Sequence, residues 1–186
     1  MYALRTAAMT SALPFAPELV EHATGPLVHV VLGPDGAPVG ALAARRLRGE
    51  RERVWRIMTD VDGMATRVPM IQRVERDGRA FVVHLRFGVS LVSANFAVKV
   101  EPVTVEGRSL ELRYVSGEPA GLTIRHELVD ASATGHVLLY TAVGFDVYSV
   151  GFLAKFFLKH HPEIRYGVYP GSALALLDSV RRAVER

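Results

Sequence analysis

Between Gly78 and Phe145 the chain sets down five segments in which apolar and polar residues alternate. Phe81, Val83, Leu85, Phe87 and Val89 alternate with Val82, His84 and Arg86, the period of a half-buried strand. Phe96, Val98 and Val100 alternate with Ala97 and Lys99 and stop near Pro102. Leu110, Leu112 and Tyr114 alternate with Glu111 and Arg113; Leu122, Ile124, His126 and Leu128 alternate with Thr123, Arg125 and Glu127. A turn over Asp130 to Gly135 leads into a last strand, His136 to Val147. Upstream, Met70 to Arg76 reads as a strand, and Asp77-Gly78 behind it is a hairpin signal.

Two helical patterns of unequal length frame these strands. Arg51 to Thr59 carries Val54, Trp55, Ile57 and Met58 on one broad face, with Glu50 and Glu52 at the positive end of its dipole. Asp60 to Arg67 reads as a turn or a second short helix, ended by Pro69. Ser172 to Glu185 forms the closing helix, with Ser172 as its cap and Leu174, Leu176, Leu177, Val180 and Val184 on its buried side. A curved sheet around one long helix readily leaves a cavity, which points to a container for a hydrophobic ligand.

The remaining segments read differently. Pro14, Pro17, Pro26, Pro34 and Pro38 puncture residues 1–38, leaving room for one strand, Leu27 to Leu32. These residues form an arm that packs on a main body of residues 39–186, with a hairpin from 27–32 into 39–48 as one way of joining it. The last strand is apolar on both faces. Leu138, Tyr140, Ala142 and Gly144 share one face and Val137, Leu139, Val143 and Phe145 the other. Something besides the closing helix must cover one of them, either the arm or a second subunit. Val150 to Pro170 is an insertion before the closing helix.

At 186 residues the chain suits one domain with an appendage, and 49% hydrophobic with 22% charged residues is an ordinary globular composition. A net charge of +3 with acidic residues interleaved is no nucleic-acid footprint. The absence of cysteine excludes disulfides, thiolate nucleophiles and thiolate-bound metals. Thr6, Thr10, Ser11 and Pro14 interrupt the apolar residues after Arg5, so a secretion signal is not expected and a cytoplasmic protein is.

The run Glu52-Arg-Val-Trp-Arg-Ile-Met-Thr-Asp60, then Val68-Pro69, Val74 before the Asp77-Gly78 hairpin, the Thr134-Gly135 turn, the Tyr140 strand and the closing helix resemble the START / Bet v 1-like (SRPBCC) superfamily. Within it the likeness is to the polyketide cyclase and coenzyme Q-binding group, over residues ~39 to 186. The resemblance implies an α+β helix-grip fold. About seven antiparallel strands would curve around the long C-terminal helix and enclose a hydrophobic cavity that takes lipids, sterols, quinones or polyketides. Such a fold hosts carriers and enzymes alike. The insertion at 150–170 is longer than the usual link, and residues 1–38 have no counterpart in that pattern.

The side chains expected to line the cavity are Phe81, Val83, Leu85, Phe87, Phe96, Val98, Leu112, Tyr114, Ile124, His126, Leu138, Tyr140, Phe156, Leu176, Leu177 and Val180. His126 occupies the apolar phase of its strand, as a core histidine satisfied by a neighbour, a contact for a ligand carbonyl or hydroxyl, or a general base. Tyr114 and Tyr140 are expected in the same inward phase, each an apolar body with a polar tip. Were the protein an enzyme, an aromatase or cyclase for instance, His126 and Tyr140 would be its acid/base groups. Neither a cofactor nor a metal is expected. Adjacent His160-His161 with Glu163 point too far apart to chelate one ion and read as a solvated loop. Phe152, Phe156 and Phe157, flanked by Lys155 and Lys159, form an apolar patch for core packing, a lid, a transient membrane contact or a dimer face. The first expectation is a carrier of a hydrophobic small molecule. A cyclase and a ligand-free interaction module are the alternatives.

Overall fold

A computed structural model describes residues 14–89 and 92–186. The side chains of 87–89, 92, 152–154 and 157 lie outside that description, as does most of the interrupted apolar stretch near the N-terminus. In chain order the elements are α1 (Pro17–His22), β1 (Leu27–Leu32), β2 (Pro38–Arg48), α2 (Arg51–Thr59), α3 (Met64–Arg67), β3 (Ile71–Asp77), β4 (Ala80–Val89), β5 (Val92–Val105), β6 (Ser109–Gly117), β7 (Thr123–Asp130), β8 (His136–Gly144), α4 (Phe152–His160) and α5 (Arg165–Val184). Short 3-10 turns at Val147–Ser149 and Pro162–Ile164 flank α4.

The strands form one antiparallel sheet in the order β1-β2-β8-β7-β6-β5-β4-β3. It has eight strands rather than about seven, because the hairpin from the arm adds β1 to the edge, pairing Leu27 with Ala44 through Leu32 with Pro38. Asp77-Gly78 turns β3 into β4 as its residues require, Gly78 sitting at φ 64°. β5 runs past the expected stop at Pro102, which still faces Leu112 of β6. Pairing of β4 with β5 ends at Phe81–Val100, so beyond that point one edge of β5 is unpaired and a proline without a donor is tolerated. At the bulge beside Val100, Gly117 takes φ 99°, and a Cβ there would lie 2.2 Å from the Ala97 carbonyl oxygen.

The closing helix starts seven residues before Ser172, at Arg165, so Ser172 is a buried interior residue and not a cap. Pro170 lies inside the helix. The carbonyl it leaves without an intrahelical donor belongs to Tyr166, an exposed residue where water can serve.

Two apolar clusters sandwich the sheet. The main one joins α5 (Tyr169, Ala173, Leu176, Leu177, Val180), α2 (Val54, Met58) and the concave face of β2 and β4–β8. The smaller one lies on the convex face, where Val20 of α1 covers Ala44, Leu138 and Tyr140, with Phe15 and Leu27 at its margin. α5 runs along β2 and β8 and touches β1, α2 and α3; among the described residues it makes no comparable approach to β4, β5, β6 or β7. Segment 145–168 supplies Phe145, Val147, Val150 and Leu158 to the main cluster.

Candidate functional site

The concave face is built by alternation. Phe81, Val83 and Leu85 of β4, Phe96 and Val98 of β5, Leu112 of β6 and Ile124 of β7 are all buried in the main cluster with Leu176, Leu177 and Val180. Ten of the sixteen side chains expected to line a cavity thus meet in one apolar body. β7 interrupts that body with a polar group. His126 lies between Ile124 and Leu128, 3% exposed, as expected from its phase.

The partner of His126 comes from β8. The two strands pair with His126 opposite Thr141, and Nδ1 lies 2.9 Å from Thr141 Oγ1. Both residues are buried. Burial pushes the His126 pKa down to about 4, and the Arg67 charge pushes the same way, so the ring is neutral near pH 7. The bond to Thr141 satisfies one ring nitrogen. Nε2 makes no hydrogen bond to protein among the described residues.

Arg67 is held in place from α3. Its Nη1 donates to Asp60 Oδ2 at 2.5 Å, and Nη2 donates to the carbonyls of Ile57 (3.0 Å) and Asp60 (2.6 Å). Asp60 also accepts from the Gly63 amide at 3.0 Å, fixing the turn between α2 and α3. Asp62 pairs with Arg76 at the surface. The two aspartates are therefore structural.

Two expected inward residues face the other way. Leu138 and Tyr140 lie on the convex face, under the arm, and the Tyr140 hydroxyl donates to the Phe15 carbonyl at 3.3 Å. Residues opposite one another in a ladder share a face, so pairing His126 with Thr141 sends Leu139, Thr141 and Val143 inward and Tyr140 outward. A slip of one residue would reverse this, and nothing in the turn residues alone distinguishes the two registers. Tyr114 packs its ring on the main cluster, but its hydroxyl turns to the Gly117 carbonyl at 3.1 Å. The expected grouping of His126, Tyr114 and Tyr140 is not formed. Thr141, which sequence reasoning passed over, takes their place; the signal was a threonine, the one non-aromatic polar side chain in the apolar run Val137 to Phe145.

The profile of the CoxG family of carbon monoxide dehydrogenase subunits matches residues 45–142, more than half of the chain. The chain belongs to the CoxG family. The matched span runs from β2 to β8 and so contains α2, α3, His126 and Thr141. No characterised protein sequence matches the chain. Among solved structures, the ZhuI aromatase/cyclase of Streptomyces sp. R1128 superposes with a TM-score of 0.57 at 14% identity, covering 87% of this chain and 94% of that one. A STAR-related lipid transfer protein of Xanthomonas axonopodis gives 0.55 at 13%, covering 88% and 96%. A Thermus thermophilus protein gives 0.60 at 12%, covering 77% and 95%. At such identities the likeness is one of fold. This CoxG-family chain has the START/Bet v 1-like helix-grip architecture.

Other expected site residues of this CoxG-family protein are scattered. Phe156 on α4 is 51% exposed and stacks on His160, so it contributes nothing to the interior. The side chains of Phe87, Phe152 and Phe157 lie outside the described residues. His161 meets Glu163 at 3.1 Å, both exposed, and His160 bonds the Phe156 carbonyl. Among the described residues no three metal-ligating side chains converge. Among them, too, no helix is long and apolar enough to cross a membrane.

Proposed function

We propose that this CoxG-family protein carries a hydrophobic small molecule (a lipid, sterol, quinone or polyketide-like compound) between its concave sheet and α5, in service of a carbon monoxide dehydrogenase system. The observation that carries the reading is His126, a neutral imidazole deep in an apolar body whose Nε2 has no protein partner among the described residues. A single polar contact inside an apolar enclosure is the usual composition of a small-molecule site. The tautomer sets its preference: with Nδ1–H donating to Thr141, Nε2 accepts from a ligand hydroxyl, and with Thr141 donating, Nε2–H donates to a ligand carbonyl. The position of α5 supports the same reading, since the helix follows β2 and β8 and leaves the concave face of β4–β6 to be covered by side chains. A guest burying ~300 Å² of apolar surface gains about 7 kcal/mol before ordering costs, enough for micromolar affinity.

Loading and release need a surface that meets the guest's source. α4 offers Phe156 beside Lys155 and Lys159, all exposed, a composition suited to transient contact with an anionic membrane. Tyr140 has left the interior, so a cyclase would depend on His126 alone.

The test is a fluorescence titration with a neutral apolar probe, N-phenyl-1-naphthylamine. Saturable binding is expected for the native protein and for Tyr140→Phe on the convex face. Ile124→Phe, or Val98→Phe if the first does not fold, narrows the interior and should weaken binding about tenfold or more. Equal binding by inner and outer variants, or no saturable binding, would sink the proposal.

A further inference from the structure

A concavity of about 280 Å³ lies at the margin of the main cluster, between α3, the start of β3 and the last turns of α5. Ala65, Thr66, Arg67, Val68, Pro69 and Ile71 form one wall, and Ser179, Arg182, Ala183 and Arg186 the other. Three of the ten lining residues are arginines and none is acidic. The carboxylates that position these cations lie outside the lining: Asp60 grips Arg67 and Asp178 grips Arg182 at 2.6 Å. Asp178 also serves Arg181, and Arg181 pairs with Glu185, so both carboxylates are taken up by Arg181 and Arg182. Arg186 makes no ion pair among the described residues. Arg182 commits Nε and Nη2 to Asp178, and Arg67 commits Nη1 and Nη2 to the α2–α3 turn, leaving Nη1 of Arg182 and Nε of Arg67 as donors. The hydroxyls of Thr66 and Ser179 donate to the Gly63 and Leu176 carbonyls, so the arginines are the lining's free donors. Val68, Ile71 and Ala183 supply an apolar floor.

We propose that this cleft is an anion site, taking the phosphate or carboxylate group of a small amphipathic molecule, with the charged group on Arg182 and Arg186 and the apolar part on Val68 and Ile71. The unpaired guanidinium of Arg186 can place two N–H groups on two oxygens of either group, and Arg182 adds Nη1. Arg67 is already anchored, so its charge is fixed in place before any ligand arrives. The site does not depend on a guest in the main cluster.

The experiment is amide chemical-shift titration of the full chain with inorganic phosphate, hexanoate, hexyl phosphate and neutral hexanol. Saturable shifts at Thr66 and Ala183 are expected with at least one anion, weakening as salt rises. Arg182→Gln with Arg186→Gln should reduce that affinity about tenfold or more, while Arg45→Gln with Arg46→Gln on β2 leaves it unchanged. Response to phosphate and hexyl phosphate alone assigns a phosphate, response to hexanoate alone a carboxylate, and either supports the site. No saturable shift with any anion, an equal response to hexanol, or undiminished binding by the α5 double variant would overturn it. Arg67 is left intact because it holds the α2–α3 turn together.

Discussion

On the inner face of β8, Leu139, Thr141 and Val143 share the main core with α5 and the concave strands; on the outer face, Leu138 and Tyr140 pack beside Leu42, Ala44 and Val129 and are covered by the arm through Val20 and Phe15. Both faces are apolar and both are closed to solvent, yet their covers differ in kind. The inner cover is a twenty-residue helix packed along β2 and β8, and the outer one is a six-residue helix with a strap of chain. Composition alone therefore does not distinguish the two faces. The inner face is marked by a buried side-chain pair, His126 with Thr141, and the outer by a tyrosine whose hydroxyl is committed to the arm's backbone.

The largest expected effect comes from truncating equivalent leucines on the two faces. Leu139→Ala should cost about 4 kcal/mol in urea unfolding, since the interlocked main core cannot collapse onto the space. Leu138→Ala should cost about 2 kcal/mol, because the arm can settle onto the shortened side chain. Equal losses would erase the distinction between the two covers.

Next in size is the response to acid. The folded pKa of His126 lies at about 4, below the value of 6.5 it has when free, so its contribution is intact above pH 6.5 and is lost as the pH falls from there to about 4. The loss should reach ~3 kcal/mol by linkage, read from urea midpoints across that window. H126Q should flatten this part of the profile. A profile with the same slope in the variant would mean that other groups carry it.

Thr141→Val keeps the shape of the inner face and removes the partner of Nδ1. It should cost about 2 kcal/mol, the desolvation of a buried nitrogen left without its bond. The smallest effect belongs to the outer face: Tyr140→Phe should cost about 1 kcal/mol, the bond to the Phe15 carbonyl, and should leave probe binding untouched.

Alternation made the strands of this fold legible, because a two-residue period reports a half-buried face directly. The helix Arg51–Thr59 was equally plain from its apolar face and its acidic start. The need for a second cover over β8 could be read from two apolar faces in one strand, and the arm supplies it. The start of α5 was not legible, since Pro170 and Ser172 are the usual signs of a helix beginning and here lie within one. Register was the deeper limit. His126 declared its own direction by sitting between Ile124 and Leu128, whereas the choice between Tyr140 and Thr141 as its partner rested on a single residue of slip across the Asp130–Gly135 turn. The cleft with Arg67, Arg182 and Arg186 unites residues more than a hundred positions apart, and no local pattern announces it.

The proposed guest lies between the concave strands and α5. Native mass spectrometry of freshly purified protein, compared with the same sample after acid unfolding, tests it most directly. A folded species heavier than the chain by one small hydrophobic molecule, which is released on unfolding, is expected. A folded species at the mass of the bare chain, unchanged after incubation with lipids and quinones, would contradict it.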